Sequence, residues 1–308
     1  MPSRRVKRPA KCDVAHVHAA LDTPHAAGGA AHRSRQPDRR RARELGTVRV
    51  RTISTTPIKG FGLAHPSAVE LDAQGARGDR DLLVVDDADC LLSITRTGAF
   101  AGLTAIYAEG RASLSIQSDG KTLVADTLRI GTPTIVRCWG GRRVAGHVVL
   151  GPFAEALTQR AERAVRLVRC DAPGAGSDIR PVTLLGSASV DELARRTGHQ
   201  VDPRRFRMLF ELETTEPHVE DRWTGCRLQG EEVAINVLGP VPRCAAITRD
   251  PDSGDRDDPL VKAIRAYRGM VPTELGPGVP FGVYAEVERG GWMRTGETVT
   301  VVAGATDT

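Results

Sequence analysis

From Thr47 onward the chain alternates short apolar runs with turn sequences, and this pattern predicts β structure. Runs rich in Val, Ile and Leu that are separated by turns such as Ser118-Asp119-Gly120 are typical of antiparallel strands. A helix is predicted over residues 151–164, because Phe153, Ala156 and Leu157 share one helical face. In this first half we predict strands at residues 48–53, 82–85, 91–94, 103–107, 114–116 and 135–138.

The second half repeats the strand pattern and adds two helices. One helix is predicted to begin with Ser187 or Ser189 as its cap and to end at Gly198. The other spans residues 259–267 and begins with proline, whose missing N–H costs nothing at that position. The predicted strands are residues 181–185, 208–212, 233–237, 281–287 and 298–302. The fold class predicted for the whole chain is therefore mainly β with a few helices (α+β).

Length and composition limit the class of protein. With 308 residues the chain has room for about two domains. Its 40% hydrophobic content is ordinary for a globular protein. No stretch reaches the roughly 18 uninterrupted apolar residues of a transmembrane helix, so we expect no membrane span.

The net charge of +5 comes from one end of the chain. Residues 1–46 hold 11 of the 43 Lys and Arg residues but only 4 of the 38 Asp and Glu residues. The remainder, with 32 basic and 34 acidic residues, is slightly acidic. We therefore expect no nucleic-acid partner for the folded part.

Residues 1–46 show neither a helical nor a strand period and are rich in Ala, Arg, His and Gly. The basic run at residues 39–43 repels itself, so we predict a disordered tail. A transit peptide and a gene start assigned too early are the alternatives. Cys12, His16 and His18 are imaginable metal ligands, but nothing around them closes a site.

The six cysteines, at positions 12, 90, 138, 170, 226 and 244, are never closer than 18 residues. This spacing excludes the CxxC motifs of zinc and thioredoxin-type sites and the clustered cysteines of iron–sulfur centres. Isolated cysteines without a convincing signal peptide predict a reducing, cytoplasmic location.

The stretch Asn236–Gly254, NVLGPVPRCAAITRDPDSG, is the strongest candidate for chemistry. We expect a turn at Gly239-Pro240 and Pro242, followed at once by Arg243 and Cys244. A rigid turn fixes the direction of the sulfur, and the adjacent arginine favours the thiolate. The alternative is that Cys244 is a small buried hydrophobic residue, as most free cysteines are.

Three basic residues stand at the ends of predicted strands: Lys59, Arg80 and Arg96. Lys59 and Arg96 lie beside turn sequences, where backbone N–H groups are also free. This combination suits an anion such as phosphate. Taken singly, each is also explained as a solvated surface charge.

Several motifs occur in the order found in one known family. They are Pro-Ile-Lys at 57–59, Asp-Arg at 79–80, Ser-Ala-Ser-Val-Asp-Glu-Leu at 187–193, Phe-Arg at 206–207, Glu-Asp-x-Trp at 220–223, Arg-Cys at 243–244, Asp-Pro-Asp-Ser-Gly at 250–254, Phe-Gly-x-Tyr at 281–284 and Arg-Thr-Gly-Glu at 294–297. Over about residues 48–302 the chain resembles MOSC-domain proteins with their N-terminal β-barrel domain. The mitochondrial amidoxime-reducing component and its bacterial relatives are the most similar type. After the predicted tail over residues 1–46, the resemblance implies an N-terminal β-barrel-like domain over 47–170 packed on a MOSC β-barrel domain over 171–304.

This resemblance implies a molybdenum–molybdopterin cofactor whose metal is bound by Cys244, the catalytic residue. It implies that Lys59 and Arg80 hold the phosphate and rim of the pterin. It also implies that the remaining cofactor-binding positions are Arg96, Ser189, Arg207 and Arg243. Two positions depart from the amidoxime reducers: Met208-Leu209 replaces Pro-Asn, and Pro242 replaces a polar residue.

The implied activity is the reduction of small N-hydroxylated compounds. Because the chain has no haem or cluster ligands, electrons would come from a reductase and an external carrier of the ferredoxin, flavodoxin or cytochrome type. An alternative is a sulfur carrier or cofactor-handling protein that uses a reactive Cys244. A third possibility is a degenerate binding module without a redox cycle.

Overall fold

The computed structural model describes residues 43–304. The predictions made for the N-terminal segment up to residue 42, including those for Cys12, His16 and His18, lie outside the described residues. In the described part, no helix is long and apolar enough to cross a membrane.

The described chain is mainly β with three α-helices, as the sequence pattern predicts. The helices are α1 (Phe153–Ala161), α2 (Ser187–Thr197) and α3 (Leu260–Arg268). The strands are β1 (Glu44–Ile53), β2 (Ala68–Asp72), β3 (Gly75–Ala76), β4 (Leu82–Asp86), β5 (Leu103–Tyr107), β6 (Ser113–Ser118), β7 (Lys121–Thr127), β8 (Arg129–Arg137), β9 (Arg143–Leu150), β10 (Val165–Cys170), β11 (Val182–Gly186), β12 (Phe210–Glu213), β13 (Arg227–Gln229), β14 (Ala234–Pro242), β15 (Pro280–Arg289), β16 (Gly291–Arg294) and β17 (Thr298–Val302).

Seven strands close into a barrel in the order β1-β12-β11-β15-β14-β13-β17. The pair β11 and β12 is parallel, and the other neighbours are antiparallel. Alternate side chains of these strands fill the barrel, among them Val50, Leu184, Ile235 and Val301. Apolar residues at every second position therefore form one continuous core.

The N-terminal half contributes further sheets. A four-stranded sheet has the order β4-β10-β9-β8, and a three-stranded meander has the order β5-β6-β7. Helix α1 buries Phe153 and Leu157 in the core of this half. Strand β4 is buried at every position, because its two faces pack into different apolar clusters.

The first strand joins the two halves. β1 begins at Glu44, four residues before the predicted strand at 48–53, so residues 44–46 are a strand and the prediction of a disordered tail is wrong for them. β1 pairs with β12 and β17 of the barrel. Strand β2 pairs with β16, which also belongs to the second half. The domain division at residue 170 stays a prediction, and in the structure residues from both sides of it share hydrogen-bonded sheets.

Helices α2 and α3 pack beside the barrel around Leu193, Ile264 and Phe281. Helix α2 ends at Gly198, whose φ of 78° completes the predicted left-handed cap. Its N-cap, however, is Gly186 and not a serine, and no side chain caps the first turn. The predicted serine cap is therefore wrong.

Two local structures differ from their predictions. Residues 91–94 form a bridge and a turn in place of a strand, although the Leu92 amide still donates to the carbonyl of Val84. The predicted turn at residues 239–242 is instead the continuation of β14, with register shifts at Val237/Gly239 and Pro240/Pro242. Proline is tolerated within a sheet where bulges remove the need for its N–H.

Two loops from opposite halves touch through glycine. A Cβ atom on Gly98 would lie 2.1 Å from the carbonyl oxygen of Gly254, and one on Gly254 would lie 2.2 Å from the oxygen of Gly98. No side chain fits in this contact. The loop after residue 95 therefore packs directly on the loop at residues 250–254.

We predict that Gly98→Ala lowers stability by about 1–3 kcal/mol, because the new methyl group forces two backbones apart. At about 2–4 °C per kcal/mol, thermal unfolding would fall by several degrees. Gly239→Ala is the matched control, since its Cβ would meet nothing within 4 Å. Equal melting temperatures for the two variants would contradict this interpretation of the contact.

Candidate functional site

The end of β14 delivers the Arg-Cys pair to the site. The bulges bend this strand while it stays paired with β15, and the pairing ends at Pro242. A short 3₁₀ turn, Ala245–Thr248, follows Cys244. Cys244 is exposed, whereas Cys170 and Cys226 are buried. Cys244 is thus not the small core residue of the alternative interpretation.

Hydrogen bonds to backbone carbonyl oxygens fix the side chain of Arg243, the residue before the cysteine. Its Nε donates to the carbonyl of Phe281 at 2.7 Å, and its Nη1 donates to the carbonyl of Phe206 at 3.0 Å. Gly282 permits this approach, because a Cβ there would lie 2.7 Å from the carbonyl oxygen of Leu184 and 3.4 Å from Arg243 Nη2. Burial lowers the pKa of Arg243 to about 10, so the guanidinium stays charged at neutral pH.

Cys244 and Arg243 line a cavity of about 410 Å³ that lies between the two halves. The N-terminal half contributes Lys59 and Arg80, and the loop before β12 contributes Arg207. Five of the seven residues that the sequence assigned to the site therefore line one cavity. Their convergence is the central finding about the site, because they come from segments up to 185 positions apart in the chain.

Lys59 is buried and is held by the segment before β11. Its Nζ donates to the carbonyl of Gly176 and to the carboxylate of Asp178, both at 2.7 Å. Burial lowers the pKa of Lys59. The charges of Lys59 and Arg80 hold the pKa of Asp178 below its usual value.

Arg80 and Arg207 face each other across the halves in an uncommon backbone conformation. Their φ angles are 54° and 55°, in the left-handed region that non-glycine residues rarely adopt. Arg80 Nη2 donates to the carbonyl of Arg207 at 3.0 Å, while Arg80 Nη1 pairs with the buried Asp79. Such backbone strain persists where the surrounding structure fixes it, and it clusters at functional sites.

The cavity has a large excess of positive charge. Seven Lys or Arg residues line it against one carboxylate, that of Asp178. Two of the arginines are neutralised from outside the cavity, Arg180 by Glu274 at 3.1 Å and Arg205 by Asp257 at 2.8 Å. Arg142, Arg207 and Arg243 have no ionic partner among residues 43–304. Burial lowers the pKa of Arg207 to about 10, which leaves it charged at neutral pH.

The donor set fits an anionic cofactor that brings its own metal. Within residues 43–304 there is no group of three or more His, Cys, Asp or Glu side chains that could hold an ion alone. One exposed thiol stands among uncompensated cations. A thiolate is a soft ligand suited to a centre of the molybdenum type, and the cations suit a phosphate.

Two predicted cofactor-binding residues are not brought to the cavity. Arg96 is exposed on the turn beside Ser93, Ile94 and Thr95, which do line the cavity, but it does not line it itself. Ser189 is fully buried in α2, and its hydroxyl donates to Glu220 at 2.7 Å. The hydroxyl also accepts from the backbone N–H of His218, so Ser189 fixes a loop.

The sequence analysis missed Asp178, Arg142 and Trp139. All three line the cavity, and Trp139 is 67% exposed at its edge. Trp139 and Arg142 flank a Gly140-Gly141 pair, which is a turn signal between two strands. A search for polar side chains at every strand turn would have found them, but nothing in the sequence shows which turns face the same cavity.

A family model for the MOSC domain matches residues 171–300. The chain contains a MOSC domain. The matched residues include the barrel strands β11–β15, most of β17, and the Arg-Cys pair. The residues before 171 complete the barrel through β1 and supply Lys59 and Arg80 to the cavity.

Curated relatives of this MOSC-domain protein include two types. The molybdenum cofactor sulfurase of Caenorhabditis elegans is 27% identical over 264 residues, which cover 79% of this chain but 34% of the sulfurase. The chain thus spans about a third of that relative's length. Mitochondrial amidoxime-reducing component 1 of Mus musculus is 25% identical over 300 residues, 87% of this chain and 85% of that protein. Among solved structures, YuaD from Bacillus subtilis has a TM-score of 0.43 at 13% identity and covers 83% of this chain and 96% of its own.

His218 is a partly buried histidine that packs beside Phe281, with charged side chains around it. Neither ring nitrogen of His218 has a hydrogen-bond partner in the described residues, and the ring packs 5.6 Å from Phe281 and 5.7 Å from Tyr267. Burial lowers the pKa of His218 to about 4, with Arg268 adding to the effect. The other charges acting on this ring are those of Asp221, Glu192 and Arg196.

We predict that His218 makes the protein sensitive to acid. Between pH 6.5 and about pH 4 the unfolded chain binds a proton at this residue that the folded chain does not, so stability falls as the pH falls. The loss from this residue is at most about 3 kcal/mol. His218 has a φ of 60°, a left-handed conformation that asparagine tolerates. His218→Asn should therefore remove this loss, so that the free energy of unfolding falls less as the pH falls. Glu220 has a pKa raised by burial and works in the opposite direction, so only the difference between wild type and variant reports on His218. Parallel curves would show that the ring takes up its proton as readily in the folded chain as in the unfolded one, which would contradict the prediction.

Proposed function

We propose that this MOSC-domain protein binds a molybdenum–molybdopterin cofactor in the cavity between its halves and reduces N-hydroxylated compounds. The observation that carries the proposal is the convergence of an exposed cysteine with uncompensated basic residues from both halves. The similarity to the amidoxime-reducing component along most of both chains supports the same conclusion.

Each residue has a distinct part in this proposal. Cys244 would hold the metal through its sulfur. Lys59 and Arg80 hold the phosphate of the pterin. Arg207 and Arg243 line the same cavity, where their fixed charges favour an anionic group.

When bound, the molybdenum centre supplies a two-electron redox couple and an open coordination position. Cleavage of one N–O bond consumes two electrons and two protons and releases one water. The electrons come from outside, through a reductase and a carrier of the ferredoxin, flavodoxin or cytochrome type. The substrate enters through the mouth of the cavity, which Trp139 and Leu275 border with exposed apolar surface.

A second function has its own support. A sulfur carrier or cofactor-handling protein would also need an exposed, reactive cysteine, and the chain resembles part of the molybdenum cofactor sulfurases. In that case Cys244 would carry a persulfide. Elemental and pterin analysis of protein made in a host that synthesises the cofactor separates the two. Stoichiometric molybdenum with pterin supports the reductase, and sulfane sulfur without molybdenum supports the carrier.

We predict that Cys244→Ser abolishes reduction of N-hydroxylated substrates and removes one sulfur from the metal's coordination shell. A serine hydroxyl is a hard and poorly ionised donor, so it does not replace a thiolate. X-ray absorption at the molybdenum edge counts the sulfur ligands. Cys90→Ser is the control outside the cavity, and Cys138→Ser is the control inside it. Loss of a sulfur ligand in Cys138→Ser, but not in Cys244→Ser, would transfer the ligand role to Cys138.

We also predict that Lys59→Ala and Arg80→Ala each weaken cofactor retention by roughly 10- to 100-fold while the apoprotein stays folded. One charge-assisted hydrogen bond contributes about 1.5–3 kcal/mol. Pterin fluorescence after extensive dialysis measures retention. Arg96→Ala is the informative control, because it was assigned by resemblance but does not line the cavity. Full retention in the Lys59 and Arg80 variants would overturn their assignment, and a loss in Arg96→Ala alone would move the phosphate site to that turn.

A further inference from the structure

Arg142 occupies a fixed position in the tight turn between β8 and β9. The Cys138 amide donates to the carbonyl of Arg142 at 2.8 Å, and the Arg142 amide donates to the carbonyl of Trp139 at 3.3 Å. Gly140 and Gly141, with φ angles of 66° and 77°, permit this turn. The turn presents Arg142 to the cavity, which it lines, while the next residue, Arg143, is exposed and does not line it.

Arg142 lies near Lys59 and Arg80, the basic cluster of the N-terminal half. Its charge adds to the lowering of the pKa of Lys59, which is due first to burial, and it acts also on Asp178 and Cys138. Lys59 and Arg80 each hold a carboxylate, those of Asp178 and Asp79. In the described residues Arg142 has no ion pair, and its guanidinium donates to no oxygen acceptor. Arg142 is therefore a cation near this cluster that no carboxylate or carbonyl of the described chain engages.

Like charges held together raise the free energy of the protein unless an anion neutralises them. A guanidinium offers a planar fork of donors that matches the oxygens of a phosphate. A phosphate that reaches Lys59 must compete with Asp178, but one that reaches Arg142 displaces no oxygen acceptor of the described residues.

We propose that Arg142 is a third basic residue of a phosphate clamp formed with Lys59 and Arg80. The clamp takes a phosphate monoester dianion. That this phosphate belongs to the pterin cofactor rests on the function proposed above. The turn at residues 139–142 then makes the N-terminal half an active part of the binding site, with three of its side chains on one ligand.

The test compares Arg142→Gln with Arg143→Gln, two neighbouring arginines of which one lines the cavity. Arg142 holds no ion pair in the described structure, so its replacement should leave the fold intact, as circular dichroism would check. The first measurement is thermal unfolding of the apoprotein against inorganic phosphate, with chloride at equal ionic strength as the blank. The second is pterin content after dialysis of protein made in a cofactor-producing host.

We expect phosphate to raise the melting temperature of wild type and of Arg143→Gln at similar concentrations. Arg142→Gln should need at least about tenfold more phosphate, the effect of one lost charge-assisted hydrogen bond. Pterin retention should fall in Arg142→Gln alone. Arg142→Lys, which keeps the charge but not the fork, should lie between wild type and Arg142→Gln.

The possible results distinguish failure of the phosphate clamp from failure of the proposed function. If phosphate protects wild type but not Arg142→Gln while no pterin is found in any form, the clamp stands and the proposed function fails. If Arg142→Gln and Arg143→Gln behave alike in both measurements, the clamp as proposed is wrong, whether or not wild type carries pterin. Absence of both phosphate protection and pterin from wild type would overturn both.

Discussion

Positive charge that is buried without a matching carboxylate is the constraint on which this site depends. Removing a guanidinium from water is costly unless every donor finds an acceptor. Arg243 offsets part of this cost with the carbonyls of Phe206 and Phe281, and Arg207 donates one hydrogen bond to the carbonyl of Phe61 at 2.7 Å. These carbonyl oxygens accept hydrogen bonds but do not cancel the charge. The site therefore keeps a net positive charge, which an anionic ligand would neutralise.

Because the positive charges come from both halves, the two halves must be held rigidly together to keep these charges close. Strand β1 closes the barrel of the second half, and the segment carrying Asp178 holds Lys59 of the first. The glycines at 98 and 254 let two loops touch through their backbones. Each contact fixes the distance between cations that belong to different parts of the sequence, so the stability of the interface and the strength of the site are linked.

Part of the candidate site could be predicted from the sequence and part could not. Strand ends and turns drew attention to Cys244, Lys59 and Arg80 one by one, and the family resemblance grouped them into one site. The direction in which a side chain points is not encoded locally. Ser189 was assigned to the cofactor, but its helix turns it toward Glu220, a residue 31 positions away. The Gly140-Gly141 pair marks a turn before Arg142, but the pattern is the same whether that turn faces solvent or a cavity.

The sequence by itself determined the class of secondary structure, because apolar periodicity and turn residues act over a few positions. It thereby fixed the mainly β character, the three helices and the left-handed cap at Gly198. Only the tertiary structure decided that Gly239–Pro242 is a bulged strand, since that depends on pairing with β15 some 40 residues later. It also decided which cations share a cavity, and which of them lack a counter-ion. Electrostatic free energy depends on distance in space, and distance along the chain does not specify it.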